Sequence, residues 1–299
     1  MRRRRVRGGG LLLLFVMNHK KQRAKVAALA EPINGLLCTG YLKEVAESSG
    51  LALGPEPGTF YTHGDHGNDP ILFVVNWQGE VQREIDIPTA TNEDWEALTV
   101  DEKGRIYIGD FGNNGQQRHD LVIYRFDPAQ PAALPPRIHF RYADQTDFPP
   151  ANSADYNWDC EAMVWHDGHL TLFTRDRGQS RYCRLYRLAD SPTPPDEPAL
   201  AEFIGGYDLP GQVTDAALHP AGHTLALLSS EQVFFVRITP TSLLDGEVRV
   251  VPLPEVTHAE GLVFAEPDIL AITTEHGGIY RFNVPPDILA WHPSADSPV

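Results

Sequence analysis

The amino-acid sequence predicts an all-β fold, and three observations carry this prediction. Short runs rich in Val, Ile, Tyr and Phe recur along the chain, bounded by Gly, Pro, Asn or Asp. Such runs are typical of β-strands separated by turns. No segment has the apolar period of roughly 3.6 residues that marks an amphipathic helix. A short motif also recurs five times within the 299 residues, which indicates a repeat architecture.

The recurring motif places an acidic or hydroxyl side chain before small and aliphatic residues. It reads DWEAL at 94–98, DCEAM at 159–163 and HAEGL at 258–262, with VTDAAL at 213–218 and ESSGLA at 47–52 in the same register. The residues at the acidic position are Ser49, Glu96, Glu161, Asp215 and Glu260. The small and aliphatic positions suit the start of an inner strand, where strands crowd together. The acids need a separate explanation.

Each copy of the motif is followed by further strand-like runs. After the copy at 94–98 these runs are EALTV, RIYIGDF, LVIYRFD and IHFRYAD, and the copies at 159–163 and 213–218 are followed by comparable sets of four. The fifth copy is followed by only three runs before the chain becomes rich in Pro. The run LLCTGYLKEV at 36–45 precedes the first unit and can supply the missing strand.

Units of four antiparallel strands, repeated and closed by a borrowed strand, describe a β-propeller. The sequence therefore predicts a five-bladed β-propeller over residues 36–288, with the ring closed by the N-terminal strand. Residues 1–35 form a basic N-terminal segment and residues 289–299 a C-terminal coil. The N-terminal segment resembles a secretory signal because basic residues precede an apolar run at 11–17.

Basic residues also follow that apolar run, whereas the cleavage region of a signal peptide rarely contains them. We expect a secreted or periplasmic protein, with a cytoplasmic protein that carries a basic tail as the alternative. No later apolar run reaches the roughly 18–20 residues of a membrane span. The net charge of −15 argues against nucleic acid as a partner, because phosphate binding needs a basic surface. The excess of carboxylates favours the binding of a cation.

In a propeller the five motif positions converge on the central axis. Carboxylates held within about 4–6 Å raise one another's pKa unless a cation neutralises them. A ring of hard oxygen ligands suits Ca²⁺ better than Mg²⁺ or Zn²⁺. The sequence predicts a central calcium bound by Ser49, Glu96, Glu161, Asp215 and Glu260, with a water-filled acidic channel or another ion as the alternative.

The loops between the second and third strands lie at the same end of each unit as the motif. We call this end the top face. Turn formation alone can explain the Gly and Asn residues of these loops. It explains the concentration of charged and histidine side chains less readily. These residues are Asp65, His66, Asp110, Arg118, Arg175, Arg177 and Arg181. Arginines beside a cation can hold a phosphate or carboxylate group. His63 or His66 can serve as acid or base.

The blade starts SGLA, WEAL, CEAMVW, TDAAL and AEGLVF resemble those of the calcium-activated nucleotidases, or apyrases, which are five-bladed propellers with one axial calcium. The resemblance implies calcium ligands at the five motif positions and phosphate contacts at Arg175 and Arg181. Asp65-His66 replaces an expected Asp-Arg pair, and Asn113 and Ser229 replace lysines. A closer overall likeness is to uncharacterised secreted bacterial propellers with loops like THGDHGN and IGDFGNN, a set with no established activity.

Two functions follow. The first is a calcium-dependent hydrolase of a phosphate anhydride or ester, with Asp65 and His66 catalytic and Arg118, Arg175, Arg177, Arg181 and Asp110 binding the substrate on the top face. The second is a non-catalytic propeller that binds a ligand or protein, with a structural cation. We expect a monomer whose partner is a small anionic substrate or a protein ligand.

Overall fold

The computed structural model describes residues 35–239, 242–244 and 246–291. The predicted signal segment therefore lies outside the described residues, except for Gly35, as does most of the predicted C-terminal coil. Within the described part of the chain, the regular secondary structure is almost entirely β-strand. No helix among these residues is long and apolar enough to cross a membrane.

The strands follow the units that the sequence predicts. The outlying first strand is β1 (Leu36–Tyr41). The first unit contains β2 (Ser48–Leu53), β3 (Thr59–Gly64), β4 (Ile71–Asn76) and β5 (Val81–Asp86). The second contains β6 (Trp95–Val100), β7 (Ile106–Asp110), β8 (Val122–Phe126) and β9 (Arg137–Tyr142).

The remaining units have the same plan. The third contains β10 (Asp159–His166), β11 (His169–Arg175), β12 (Tyr182–Ala189) and β13 (Ala199–Asp208). The fourth contains β14 (Val213–Leu218), β15 (Thr224–Ser229), β16 (Gln232–Arg237) and β17 (Val248–Pro252). The fifth contains β18 (Ala259–Glu266), β19 (Ile269–Thr274) and β20 (Gly278–Asn283), and a one-turn helix, α1 (Pro286–Leu289), follows.

The N-terminal strand completes the last unit. β1 pairs antiparallel with β20, with Leu36 opposite Phe282 and Tyr41 opposite Gly278. The sheet order is therefore β1-β20-β19-β18, which joins the two ends of the described chain in one sheet.

The strands form three four-stranded sheets and one eight-stranded sheet rather than five separate sheets. The difference arises because the long strand β13 extends past its own unit. Its first residues, Ala199 to Ala201, pair in parallel with Phe140 to Tyr142 of β9. This pairing joins the outer edges of the second and third units and covers two edges that would otherwise be open to other chains.

The inner strands form a closed ring in which β2, β6, β10, β14 and β18 each contact their two neighbours. Apolar side chains fill the space between successive units. One such cluster packs Ala162, Phe173 and Leu185 of the third unit against Leu225 and Phe234 of the fourth. Comparable clusters lie between the other neighbouring units. The molecule is an all-β, propeller-like fold.

Candidate functional site

Each inner strand has an irregular register at its motif. The pairing skips from Trp95 to Ala97 in β6, from Cys160 to Ala162 in β10 and from Ala259 to Gly261 in β18. The skipped residues are Glu96, Glu161 and Glu260. A bulge leaves one residue out of the ladder and changes the direction of its side chain. The bulges in β2 and β14 skip neighbouring residues instead of Ser49 and Asp215.

Two of the five predicted ligands bond to the backbone of a neighbouring unit. The Ser49 hydroxyl donates to the carbonyl oxygen of Glu96 at 3.0 Å. The Asp215 carboxylate accepts from the amides of Ala216 at 2.8 Å and Leu262 at 2.6 Å. Both side chains are buried. In this arrangement they join adjacent inner strands.

Glu161 and Glu260 lie beside the arginines of the third unit. Arg175 Nη1 donates to Glu161 Oε2 at 3.0 Å and lies 3.8 Å from Glu260 Oε1. Arg177 Nη2 donates to Glu161 Oε1 at 2.7 Å, and its Nε donates to Asp159 Oδ2 at 2.5 Å. The predicted phosphate ligands Arg175 and Arg177 thus bind carboxylates of the chain itself.

Glu96 lies at the centre of the acidic residues. Its carboxylate forms one group with Asp159 and Glu161 and another with Asp65 and Asp94, and within each group the potential ligand oxygens lie within 4.8 Å of one another. Among the described residues, no hydrogen-bond donor reaches the Glu96 carboxylate, although the residue is only 5% exposed. Carboxylates in this state are suited to a cation.

The electrostatics of the cluster favour proton or cation binding. Burial, together with the charges of Asp65 and Asp159, raises the pKa of Asp94 to about 6. Burial raises the pKa of Glu260 to about 7, although Arg175 opposes the shift. Burial and neighbouring carboxylates raise the pKa values of Glu96 and Glu161 well above the usual range. A divalent cation would relieve the same repulsion.

The loop residues of the first two units have distinct positions. Asp65 Oδ1 accepts from the His66 amide at 2.6 Å. His66 is exposed, and its Nδ1 lies 2.5 Å from the carbonyl oxygen of Glu93 and 3.5 Å from Asp94 Oδ1. His63, by contrast, is fully buried. His66 is therefore the accessible histidine of this loop.

Asp110 and Arg118 support the entry to β6. The Asp110 carboxylate accepts from the amides of Glu93 and Asp94 and from Arg118 Nη2 at 2.9 Å. Arg118 also donates to Asp120 and to the carbonyl oxygen of Gly112. Arg181 lies away from the cluster, exposed and paired with Asp208.

A cavity of about 380 Å³ opens beside the acidic cluster. Its walls include His66 and Asp94 from one side and Asn113, Asn114 and Arg118 from the other. The cavity is large enough for a small molecule, and it places an accessible imidazole next to a carboxylate of the cluster.

Asp94 and Asp159 were missed in the sequence analysis. Each stands two residues before the motif glutamate, in DWEAL and DCEAM, so the repeat itself contains the signal. Gly112 was also missed as a part of the site. A Cβ atom at Gly112 would lie 2.4 Å from the Asp94 carboxylate and 2.5 Å from Glu96 Oε1, so these carboxylates occupy space that only glycine leaves free.

The chain is distantly similar to several solved protein structures. No protein-family model and no curated protein matches the chain. The PQQ-bound aldose sugar dehydrogenase from Streptomyces coelicolor is similar over 85% of this chain and 99% of its own, with 11% identity and a TM-score of 0.48. A gluconolactonase from Xanthomonas campestris is 17% identical over 84% of this chain and 80% of its own, with a TM-score of 0.44.

The β-propeller domain of Cps50 (Swd1) from Myceliophteria thermophila is 11% identical over 83% of this chain and 99% of its own, with a TM-score of 0.41. These similar structures are β-propellers. At such identities and TM-scores they say nothing about the activity of this chain.

Proposed function

We propose that this protein is a five-bladed β-propeller that hydrolyses a phosphate anhydride or ester in a calcium-dependent reaction on its top face. Counting β6–β9 and β10–β13 as separate blades agrees with the apolar clusters that pack between successive units. The observation that carries the function is the convergence of Glu96, Asp159 and Glu161 on one buried point.

These carboxylates suit calcium. Their oxygens are hard ligands, Glu96 has no donor among the described residues, and Glu260 lies close enough to share Arg175 with Glu161. Calcium, when bound, polarises a phosphoryl oxygen and favours attack by water. Without calcium, the ion pairs that Asp159 and Glu161 form in the described part of the chain are those with Arg175 and Arg177.

His66 is the base in this proposal. Its Nδ1 donates to the Glu93 carbonyl, so in the neutral ring Nε2 carries the lone pair and can accept a proton. Water attacks the phosphorus atom, the bond to the leaving oxygen breaks, and the proton that His66 receives from the water passes to that oxygen. Asp65 orders the loop by accepting from the His66 amide.

One observation favours a non-catalytic binding protein instead. Arg118, Arg175 and Arg177 all bind carboxylates of the chain itself, and a phosphate must compete with these partners. In that case the cation is structural, and the top face binds a ligand without converting it.

A hydrolysis screen distinguishes the two functions. Purified protein is incubated with nucleoside di- and triphosphates, phosphomonoesters and phosphodiesters, with calcium or with chelator. We expect calcium-dependent phosphate release that falls at least about 100-fold in His66→Ala, as for a lost general base. Glu102→Gln, in an exposed turn at the opposite face, is the matched control. No release from any substrate, with calcium still bound, would favour the binding protein.

A further inference from the structure

The acidic cluster contains a second group of potential ligands away from the axis. Asp65 follows β3, Asp94 precedes β6 and Glu96 lies in β6, so this group spans the first two units. Their ligand oxygens lie within 4.8 Å of one another. Glu96 belongs both to this group and to the axial group with Asp159 and Glu161.

The two groups differ in their compensating charges. Arg175 and Arg177 bind Glu161 and Asp159 in the axial group. In the described part of the chain, no lysine or arginine forms an ion pair with Asp65, Asp94 or Glu96. Only the exposed His66 ring approaches, with its Nδ1 at 3.5 Å from Asp94 Oδ1. The group away from the axis therefore has the greater need of a cation.

The hydrogen bonding points the same way. Glu96 is 95% buried, since its exposed fraction is 5%, and its carboxylate is without a donor among the described residues. Gly112 admits the Asp94 and Glu96 carboxylates into the space that a side chain would fill. The Glu96 carboxylate, which has no protein donor among the described residues, therefore lies in both groups of potential ligands.

We propose that Asp65, Asp94 and Glu96 bind a second divalent cation, and that Glu96 bridges it to the axial calcium. The inference deepens the proposed function and rests on it for the first cation. The ligands are carboxylates only, so the expected ion is calcium or another oxygen-preferring divalent cation. The second site adjoins the 380 Å³ cavity through Asp94, so a phosphate bound in this cavity would lie beside the second cation. Paired cations clamp the attacking and leaving oxygens in two-metal hydrolases.

Calcium stoichiometry on the full chain tests this proposal. Equilibrium dialysis and isothermal titration with calcium alone should give two ions per wild-type chain. Asp94→Asn should retain only the axial ion, and Asp159→Asn only the second. Glu96→Gln should weaken both by at least about tenfold, since it removes a charged ligand from each site. Circular dichroism checks that each variant is folded.

A second pair of variants avoids changing any ligand. Gly112→Ala places a methyl group against Asp94 and Glu96 and should lower the affinity of the second site at least about tenfold. Gly115→Ala in the same loop meets nothing closer than 3.9 Å and should bind like the wild type.

The outcomes separate the two proposals. One ion per wild-type chain, unaffected by Asp94→Asn and Gly112→Ala, would overturn the second site and leave the proposed function standing. One ion that Asp94→Asn removes and Asp159→Asn does not would overturn the bridged pair. No calcium binding at all would overturn both proposals.

Discussion

At the residue scale, buried polar groups decide how the ring responds to solution conditions. His219, which begins the turn between β14 and β15 opposite the top face, shows this clearly. Its Nε2 donates to the Pro267 carbonyl at 2.8 Å, and its Nδ1 accepts from the Ala221 amide at 3.0 Å. Both ring nitrogens are thus satisfied only in the neutral form.

The pH dependence of stability should depend on His219. Burial lowers its pKa below the usual 6.5, so the unfolded chain binds the proton more readily. Its contribution is present above pH 6.5 and is lost as the pH falls through the lower folded value. We expect the free energy of unfolding, measured with urea, to fall less between pH 7.5 and pH 5.5 in His219→Gln than in the wild type. The difference should be about 1 kcal/mol, the contribution of one buried hydrogen bond.

The exposed His169 offers a control for that measurement. In His169→Gln the free energy of unfolding should fall between pH 7.5 and pH 5.5 by as much as in the wild type. An equal fall in the free energy of unfolding in His219→Gln and in the wild type would contradict the prediction.

At the scale of the strands, side chains near the axis join one sheet to the next. Asp215 of β14 accepts from the Leu262 amide of β18, and Thr214 donates to the Ala259 carbonyl at 2.7 Å. At the outer edge, β1 completes the sheet of β18–β20. Such links span residues that are distant in sequence.

Asp215→Asn should destabilise the protein by about 1–3 kcal/mol, because the amide group of asparagine cannot accept from both backbone amides. The loss should be the same with calcium and with chelator, since both Asp215 oxygens bind backbone amides. Differential scanning calorimetry under both conditions measures it. A loss seen only with calcium would identify Asp215 as a calcium ligand.

Ring closure by β1 can be tested with adjacent leucines. Leu36 packs against the apolar cluster between the last two units, whereas Leu37 is 61% exposed. Leu36→Asp should lower the free energy of unfolding by about 2 kcal/mol, and Leu37→Asp should stay within about 0.5 kcal/mol of the wild type. Equal effects in urea unfolding would mean that β1 does not close the ring in solution.

At the scale of the whole molecule, a cation bound by the acidic cluster would stabilise the ring. The acidic cluster takes ligands from at least three units, so a bound ion opposes their separation. An ion that binds only the folded state stabilises it by about 2.7 kcal/mol at a hundredfold excess over Kd.

Calcium should therefore raise the Tm by several degrees, since about 1 kcal/mol shifts the Tm of a chain of this size class by roughly 2–4 °C. Scanning fluorimetry with calcium and with chelator measures the shift. Glu96→Gln should abolish most of it, and Glu102→Gln should leave it intact. A wild-type Tm that is the same with calcium and with chelator would contradict the proposed central cation.

The strand pattern of the sequence determined the all-β, propeller-like fold. Alternating runs set which faces of each strand are buried, and a unit with only three strands needs a fourth from elsewhere, as β1 supplies. The parallel pairing of β13 with β9 was not predictable in this way. It depends on how far one outer strand reaches in space, which no local period encodes.

The repeat also determined which end of the ring carries the acids, because a motif in equivalent positions of equivalent strands must converge. Only the tertiary structure decided the partner of each charge. It placed Arg175 and Arg177 on Glu161 and Asp159, Asp215 on backbone amides, and Glu96 between two carboxylate groups. The physical reason is that periodicity is a local property, which sets only the direction of a side chain. Hydrogen bonds and ion pairs depend on distances between residues that are far apart in the sequence.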